Sequence, residues 1–134
     1  MVISLFVYFD RCAIGFSLFF LNFLLISGED SLAFHTMCLG GDGLISVIAN
    51  CLPGEVSKMI REAKKGNLES ARMSNQSLTP FYELGSKEGN PASVKAGLES
   101  IGICERTVRL PLAKADERLR TAFRQVLNKK KGIL

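Results

Sequence analysis

The chain has 134 residues, 47% of them hydrophobic and 22% charged, which suffices to bury the core of one ordinary domain. Its formal charge of +4 comes from 17 basic and 13 acidic residues. From Glu105 onward Arg106, Arg109, Lys114, Arg118, Arg120, Arg124 and Lys129 to Lys131 stand against Glu105, Asp116 and Glu117; with no aromatic platform or groove-reading motif beside them, they read as a solvated helix face and a basic tail, not a nucleic-acid interface.

Cys12, Cys38, Cys51 and Cys104 are scattered, with no Cys-x-x-Cys pair, and the single histidine is His35. A zinc site needs paired ligands at short spacing and a secreted staple needs dense cysteines, so neither is indicated. Reduced, mostly buried thiols are the expectation.

Residues 1 to 26 differ in kind from the rest. Met1 to Phe9 is apolar, Asp10-Arg11 interrupts, and Ala13 to Ile26 is apolar again except for Ser17 and Asn22; six of the nine phenylalanines fall here. No basic residue precedes the first apolar run, as a secretory signal would require. The uninterrupted run after Arg11 is shorter than the roughly 20 residues of a membrane span. From Phe23 to Ile26 the pattern becomes that of a buried strand. Gly28 lets the backbone turn out of it, and Asp30 is positioned to cap a helix from about Ser31 to Gly40. His35 lies inside that helix, where a lone histidine reads as a packed or half-exposed side chain.

Gly40 to Asn50 is the stretch around which the chain is organised. Gly40 and Gly41 stand where a helix end needs left-handed backbone, Asp42-Gly43 is a turn pair, and Leu44, Ile45 and Val47 form the apolar, β-branched run of a strand buried on both faces. Pro53 suits the first turn of the next helix, along which Val56, Met59, Ile60 and Ala63 recur at helical spacing until Gly66. Asn67 then caps a helix with Leu68, Ala71, Leu78, Phe81 and Tyr82 on its apolar face, bent at Pro80, and Gly85 to Asn90 is a loop. Asn90-Pro91 opens a helix carrying Val94, Gly97, Leu98 and Ile101. Arg106 to Leu112 reads as an extended arm. The last helix, about Ala115 to Asn128, places Leu119, Ala122, Phe123, Val126 and Leu127 on one stripe.

Four motifs stand in one order: Phe23-Leu-Leu-Ile-Ser-Gly-Glu-Asp30, the Gly40–Asn50 stretch, Gly89-Asn-Pro-Ala-Ser-Val-Lys95, and Arg109-Leu-Pro-Leu112. From about Phe23 to Leu134 the chain resembles dihydrodipicolinate synthase (4-hydroxy-tetrahydrodipicolinate synthase), of the pyruvate-dependent class I aldolase group that includes N-acetylneuraminate lyase. The resemblance covers the C-terminal part of that family's chain. It implies an α/β fold, the C-terminal portion of a TIM (β/α)8 barrel with its last two strands and helices, followed by a C-terminal helical region. A whole barrel takes about 250 residues, so the barrel is expected to be incomplete. The implied divisions are a Phe-rich leader over 1–22, the last two βα units over 23–66, and the helical region over 67–134. The leader is read as unrelated to the family, or as the product of a frameshift or misplaced start.

The family condenses pyruvate with aspartate semialdehyde through a lysine imine, which draws electrons from the neighbouring carbon and makes it a nucleophile. By resemblance the imine-forming lysine and the proton-relaying hydroxyls belong to earlier strands, so no catalytic residue, metal ligand or cofactor is assigned here. Ser27, Gly28 and Ile45 are expected at the pocket wall, Ile45 through its backbone carbonyl. The plainer readings, a turn for Gly28 and a core position for Ile45, can hold beside these.

Ser31 follows Asp30 where the sialic acid lyases carry an acidic residue, which favours the dihydrodipicolinate branch. Glu29 stands where aspartate is common, and Ser93 replaces the second proline of the usual Asn-Pro-x-Pro-Val-Lys. The substrates are thus expected only in the context of a complete subunit, as a homo-oligomer in the family, in the cytoplasm. A complementing fragment remains open. So does a small membrane-attached interaction protein using residues 1–26 and the helical tail.

Overall fold

The computed structural model describes residues 2–5 and 24–131. Three strands form a parallel sheet in the order β1 (Val2–Leu5), β2 (Leu24–Ser27), β3 (Gly43–Leu44). The helices are α1 (Ala33–Cys38), α2 (Pro53–Lys64), α3 (Leu68–Ser86), α4 (Ala92–Ser100) and α5 (Glu117–Lys131). Part of the apolar N-terminal stretch is therefore strand, pairing Val2 with Leu24 through Leu5 with Ser27. The expectation of membrane attachment falls mainly on residues 6–23, outside the described residues; among the described ones no helix is long and apolar enough to cross a membrane.

The described residues divide into two compact units, one from 1–46 and 54–77, the other from 47–53 and 78–134. In the first, Met37, Ala63 and Ala71 are buried, with Phe34 and Ile60 packed against them. Val56 and Met59 are also buried, as the spacing along α2 requires. Both helices that lead out of this cluster close in the same way. Gly40 (φ 87°) follows α1 and Gly66 (φ 81°) follows α2. Gly40 N donates to Met37 O at 3.1 Å and Gly41 N to Thr36 O at 2.9 Å; Gly66 N donates to Ala63 O at 3.0 Å and Asn67 N to Glu62 O at 2.9 Å. This pair of bonds satisfies the last helical carbonyls and needs left-handed backbone, which glycine adopts without a Cβ clash. Asn67 was expected to cap α3 with its side chain, but the amide instead donates to Glu62 Oε2 at 2.9 Å. That bond, with Lys65 beside it, holds the Glu62 carboxyl below the usual range.

In the second unit Ile48, Leu78, Phe81, Val94, Ala96, Leu119, Phe123 and Leu127 are buried. Gly97 lets α4 and α5 approach, since a Cβ there would lie 3.1 Å from the Phe123 ring and 2.8 Å from Cys51 Sγ. Gly85 belongs to α3 and not to the expected loop. A Cβ on Gly85 would meet Ile48 Cδ1 at 2.6 Å, so its small size serves packing rather than a turn. Pro80 lies within a continuous α3. Helix α5 starts later than Ala115 because Asp116 Oδ1 accepts the Arg118 N–H at 2.7 Å, an N-cap bond. The substituted Ser93 is fully buried: its N–H donates to Gly89 O at 2.9 Å and its hydroxyl accepts the Glu88 N–H at 2.9 Å. Proline offers neither of these groups.

Residues 101–116 form no strand or helix, and Leu110 in this arm is 92% exposed. Arg106, largely buried, fastens the arm. Its guanidinium lies 3.4 Å from Glu99 and 2.5 Å from Glu117, while Arg120 pairs with both acids. Hydrogen bonds from Arg120 and then Arg106 hold the exposed Glu117 carboxyl below the usual carboxylate range. Part of the expected basic face is thus internally neutralised.

Cys51 is buried, with Sγ 3.6 Å from Val94 O. Burial first, and the nearby Cys104 second, push its thiol from 9.0 up to about 11. Cys38 and Cys104 are exposed, which departs from the expectation of mostly buried thiols. At pH 8 a thiol titrating near 11 carries about a hundredfold less thiolate than one near 9. Iodoacetamide followed by peptide mapping should label Cys38 and Cys104 in the native chain and Cys51 only after denaturation; equal labelling would contradict this burial. Because the folded chain keeps a proton that the unfolded chain loses, Cys51 stabilises the fold fully below pH 9. That contribution is lost as pH rises from 9 towards 11.

Candidate functional site at the strand ends

Parallel strands end together, and here the C-terminal ends of β1, β2 and β3 bring Leu5, Ser27 and Leu44 into register. Asp42 sets where β3 begins. Its N–H donates to Leu25 O at 2.7 Å and its carboxylate Oδ2 accepts the Leu25 N–H at 2.9 Å, so a side chain completes the ladder. Asp42-Gly43 therefore leads into the strand, where the sequence pattern suggests a turn pair. Lys64 Nζ donates to Asp42 O at 2.9 Å and ties the end of α2 to the same point.

The buried strand expected through Val47 stops at Leu44, and Ile45 is 61% exposed. The cause lies in β2. Ile45 N donates to Ser27 O at 2.9 Å, and Ser27 is the last residue of β2 before Gly28 turns away. No β2 backbone remains to pair with Ser46 or Val47, so the chain leaves the sheet and forms a 3-10 turn over Ile48–Asn50. The core position is Ile48, not Ile45. Similarly, Leu24 in β2 is half exposed while the polar Ser27 is buried.

The three residues singled out from sequence thus fall at one edge. Ser27 and Ile45 meet through a backbone bond, and Gly28, half-buried, follows directly. The Ser27 hydroxyl is engaged locally, donating to Glu29 O at 3.0 Å and accepting the Glu29 N–H at 3.3 Å. What this edge presents is therefore backbone together with the exposed Ile45 side chain. Glu29, standing in for the common aspartate, caps the turn into α1: its carboxylate accepts the Ser31 N–H at 3.4 Å and the Ser31 hydroxyl at 3.1 Å. The expected cap, Asp30, instead turns inward and is buried, where its Oδ1 accepts the Ser46 hydroxyl. Sequence reasoning missed this pair, although Ser46 is the one polar residue within the Leu44–Val47 run.

His35 is exposed on α1 with its ring edge-on to Phe34, 5.8 Å between centroids. Among the described residues no group of His, Cys, Asp and Glu is arranged to hold a metal ion.

Parallel strands with helices between and after them define the α/β class, and in open α/β sheets ligands bind at the C-terminal strand ends. The chain belongs to the dihydrodipicolinate synthetase family, which its residues 18–130 match. That match begins upstream of Phe23, where the resemblance was expected to start. The 4-hydroxy-tetrahydrodipicolinate synthase of Thermotoga petrophila is 39% identical over 113 residues, covering 84% of this chain and 38% of that protein. The synthase of Chlorobium phaeobacteroides is 45% identical over 91 residues, 68% of this chain and 31% of that protein. The crystal structure of dihydrodipicolinate synthase from Thermotoga maritima superposes with a TM-score of 0.89 at 35% identity, covering 99% of this chain and 46% of that one. The chain thus spans less than half the length of each of these relatives.

Proposed function

We propose that this chain supplies the C-terminal part of a 4-hydroxy-tetrahydrodipicolinate synthase subunit. In this reading β2 and β3 are the last two strands of a (β/α)8 barrel, 23–66 carries their βα units, and 67–134 is the helical region beside the barrel. Of residues 1–22, Val2–Leu5 add a further parallel strand beside β2. Ser27, Gly28 and Ile45 form one wall of a pocket that takes pyruvate and aspartate semialdehyde once the remaining strands are supplied, in an oligomer in the cytoplasm. The observation that supports this reading is the bond from Ile45 N to Ser27 O at the paired strand ends, since barrel active sites lie at the C-terminal ends of the strands.

The chemistry needs a lysine held unprotonated by desolvation, with hydroxyls to relay protons. The lysines of the described residues lie on helices and loops; none is at the strand ends. The role of this chain is then to shape and orient, while a lysine on a separate barrel part forms the imine. Incubating the full chain with pyruvate and borohydride should leave its intact mass unchanged. Coexpression with the N-terminal barrel part of a family member should give synthase activity and a trapped adduct on that partner. An adduct on the chain alone would overturn the division of labour.

A further inference from the structure

We propose that Asp30 and Ser46 form a clasp that fixes the peptide between Ile45 and Ser46, which makes them positioning residues for the pocket wall; this rests on the reading of Ile45 given above. The ladder between β2 and β3 ends with the bond from Ile45 N to Ser27 O. Beyond it the backbone has no strand to follow, because β2 has already turned out at Gly28. A peptide one residue past the last ladder bond is oriented by groups other than the sheet. Here the next side chain is such a group, since the Ser46 hydroxyl donates to Asp30 Oδ1.

The anchor is itself fixed. Asp30 is 7% exposed and opens the 3-10 turn Asp30–Leu32, which Glu29 caps through Ser31 and which the Ser27 hydroxyl ties back to the end of β2. Two attachments of the Ile45 peptide therefore lead to one short connection: Ser27 holds the amide before it and Asp30 the side chain after it. The Ile45 side chain, mostly exposed, cannot supply this constraint by packing. A buried carboxylate is costly unless hydrogen-bonded, and a charge-assisted bond is directional in a way that an apolar contact at the same place would not be. The arrangement suits a backbone carbonyl that must point one way, because small misplacements at a reacting centre have large effects on rate.

The test uses the full chain, isotope-labelled, without pyruvate or a partner. In Ser46→Ala the amide exchange of Ile45 and Ser46 should accelerate by at least about tenfold and the Ile45 carbonyl carbon resonance should shift. Amides of α2 should stay within about twofold. Ser46→Thr, which keeps the hydroxyl, should restore both readouts, and Asp30→Asn should change them in the same direction. If Ser46→Ala does not fold, Asp30→Asn carries the test. Unchanged Ile45 signals in the substituted chains, or acceleration that spreads equally through α2 and is not rescued by threonine, overturn the clasp. Neither outcome touches the division of labour proposed above, which fails separately through an imine on the lone chain.

Discussion

Phe123→Ala should destabilise the helical unit by about 3–5 kcal/mol, the range for removing a buried aromatic ring from a packed core. Phe123 is fully buried in α5, and its ring edge lies where a Cβ on Gly97 of α4 would come within 3.1 Å, so the cavity would open at the closest approach of the two helices. A loss of that size is a large share of the roughly 5–15 kcal/mol that holds an ordinary domain. Urea unfolding followed by circular dichroism should show the fall in midpoint. Phe123→Leu, which fills part of the space, should cost clearly less. Equal midpoints for Phe123→Ala and the parent chain would mean that the contact between α4 and α5 is not where the stability resides.

In the other unit, Gly41→Ala should cost about 1–3 kcal/mol or somewhat more, as expected when a methyl is forced into filled space. A Cβ there would lie 2.7 Å from Thr36 Cγ2 and 2.8 Å from Thr36 O. The oxygen is helix backbone and already accepts the Gly41 N–H at 2.9 Å, so it cannot withdraw as the tip of a flexible side chain could. Relief requires moving Gly41, and with it Asp42, whose bonds to Leu25 fix the start of β3. The effect should therefore reach the strand ends and appear as faster amide exchange at Asp42 and Ile45. Gly43→Ala is the control, because a Cβ there meets nothing within 4 Å. A loss for Gly43→Ala equal to that for Gly41→Ala would remove the close approach as the cause.

Much of this was legible in the sequence, and for definable reasons. Gly40 and Gly66 mark helix ends because left-handed backbone is a local demand that one residue type meets best, and both have it. The stripes on α2 and α5 were readable because helical spacing alone decides which residues share a face. Family membership was carried by four short motifs in order, independent of any packing detail. Ser27, Gly28 and Ile45 were singled out by that resemblance, and Ile45 N bonds Ser27 O at the strand ends.

What the residues could not show by themselves depends on partners distant in the chain. The length of β3 is set by where β2 stops pairing, which is why Ile45 is exposed and Ile48 buried although both are isoleucines in one apolar run. Asp30 turns inward instead of capping a helix, and there it accepts the hydroxyl of Ser46, sixteen residues on. Gly85 looked like a loop residue because small size serves turns and tight packing alike, and the nearby Ile48 methyl selects packing. Local backbone demands and periodicity were thus fixed by sequence alone, since they involve neighbours within a turn or two. Strand ends, buried polar pairs and close approaches were decided by the tertiary structure, since each depends on which distant atom occupies the adjoining space.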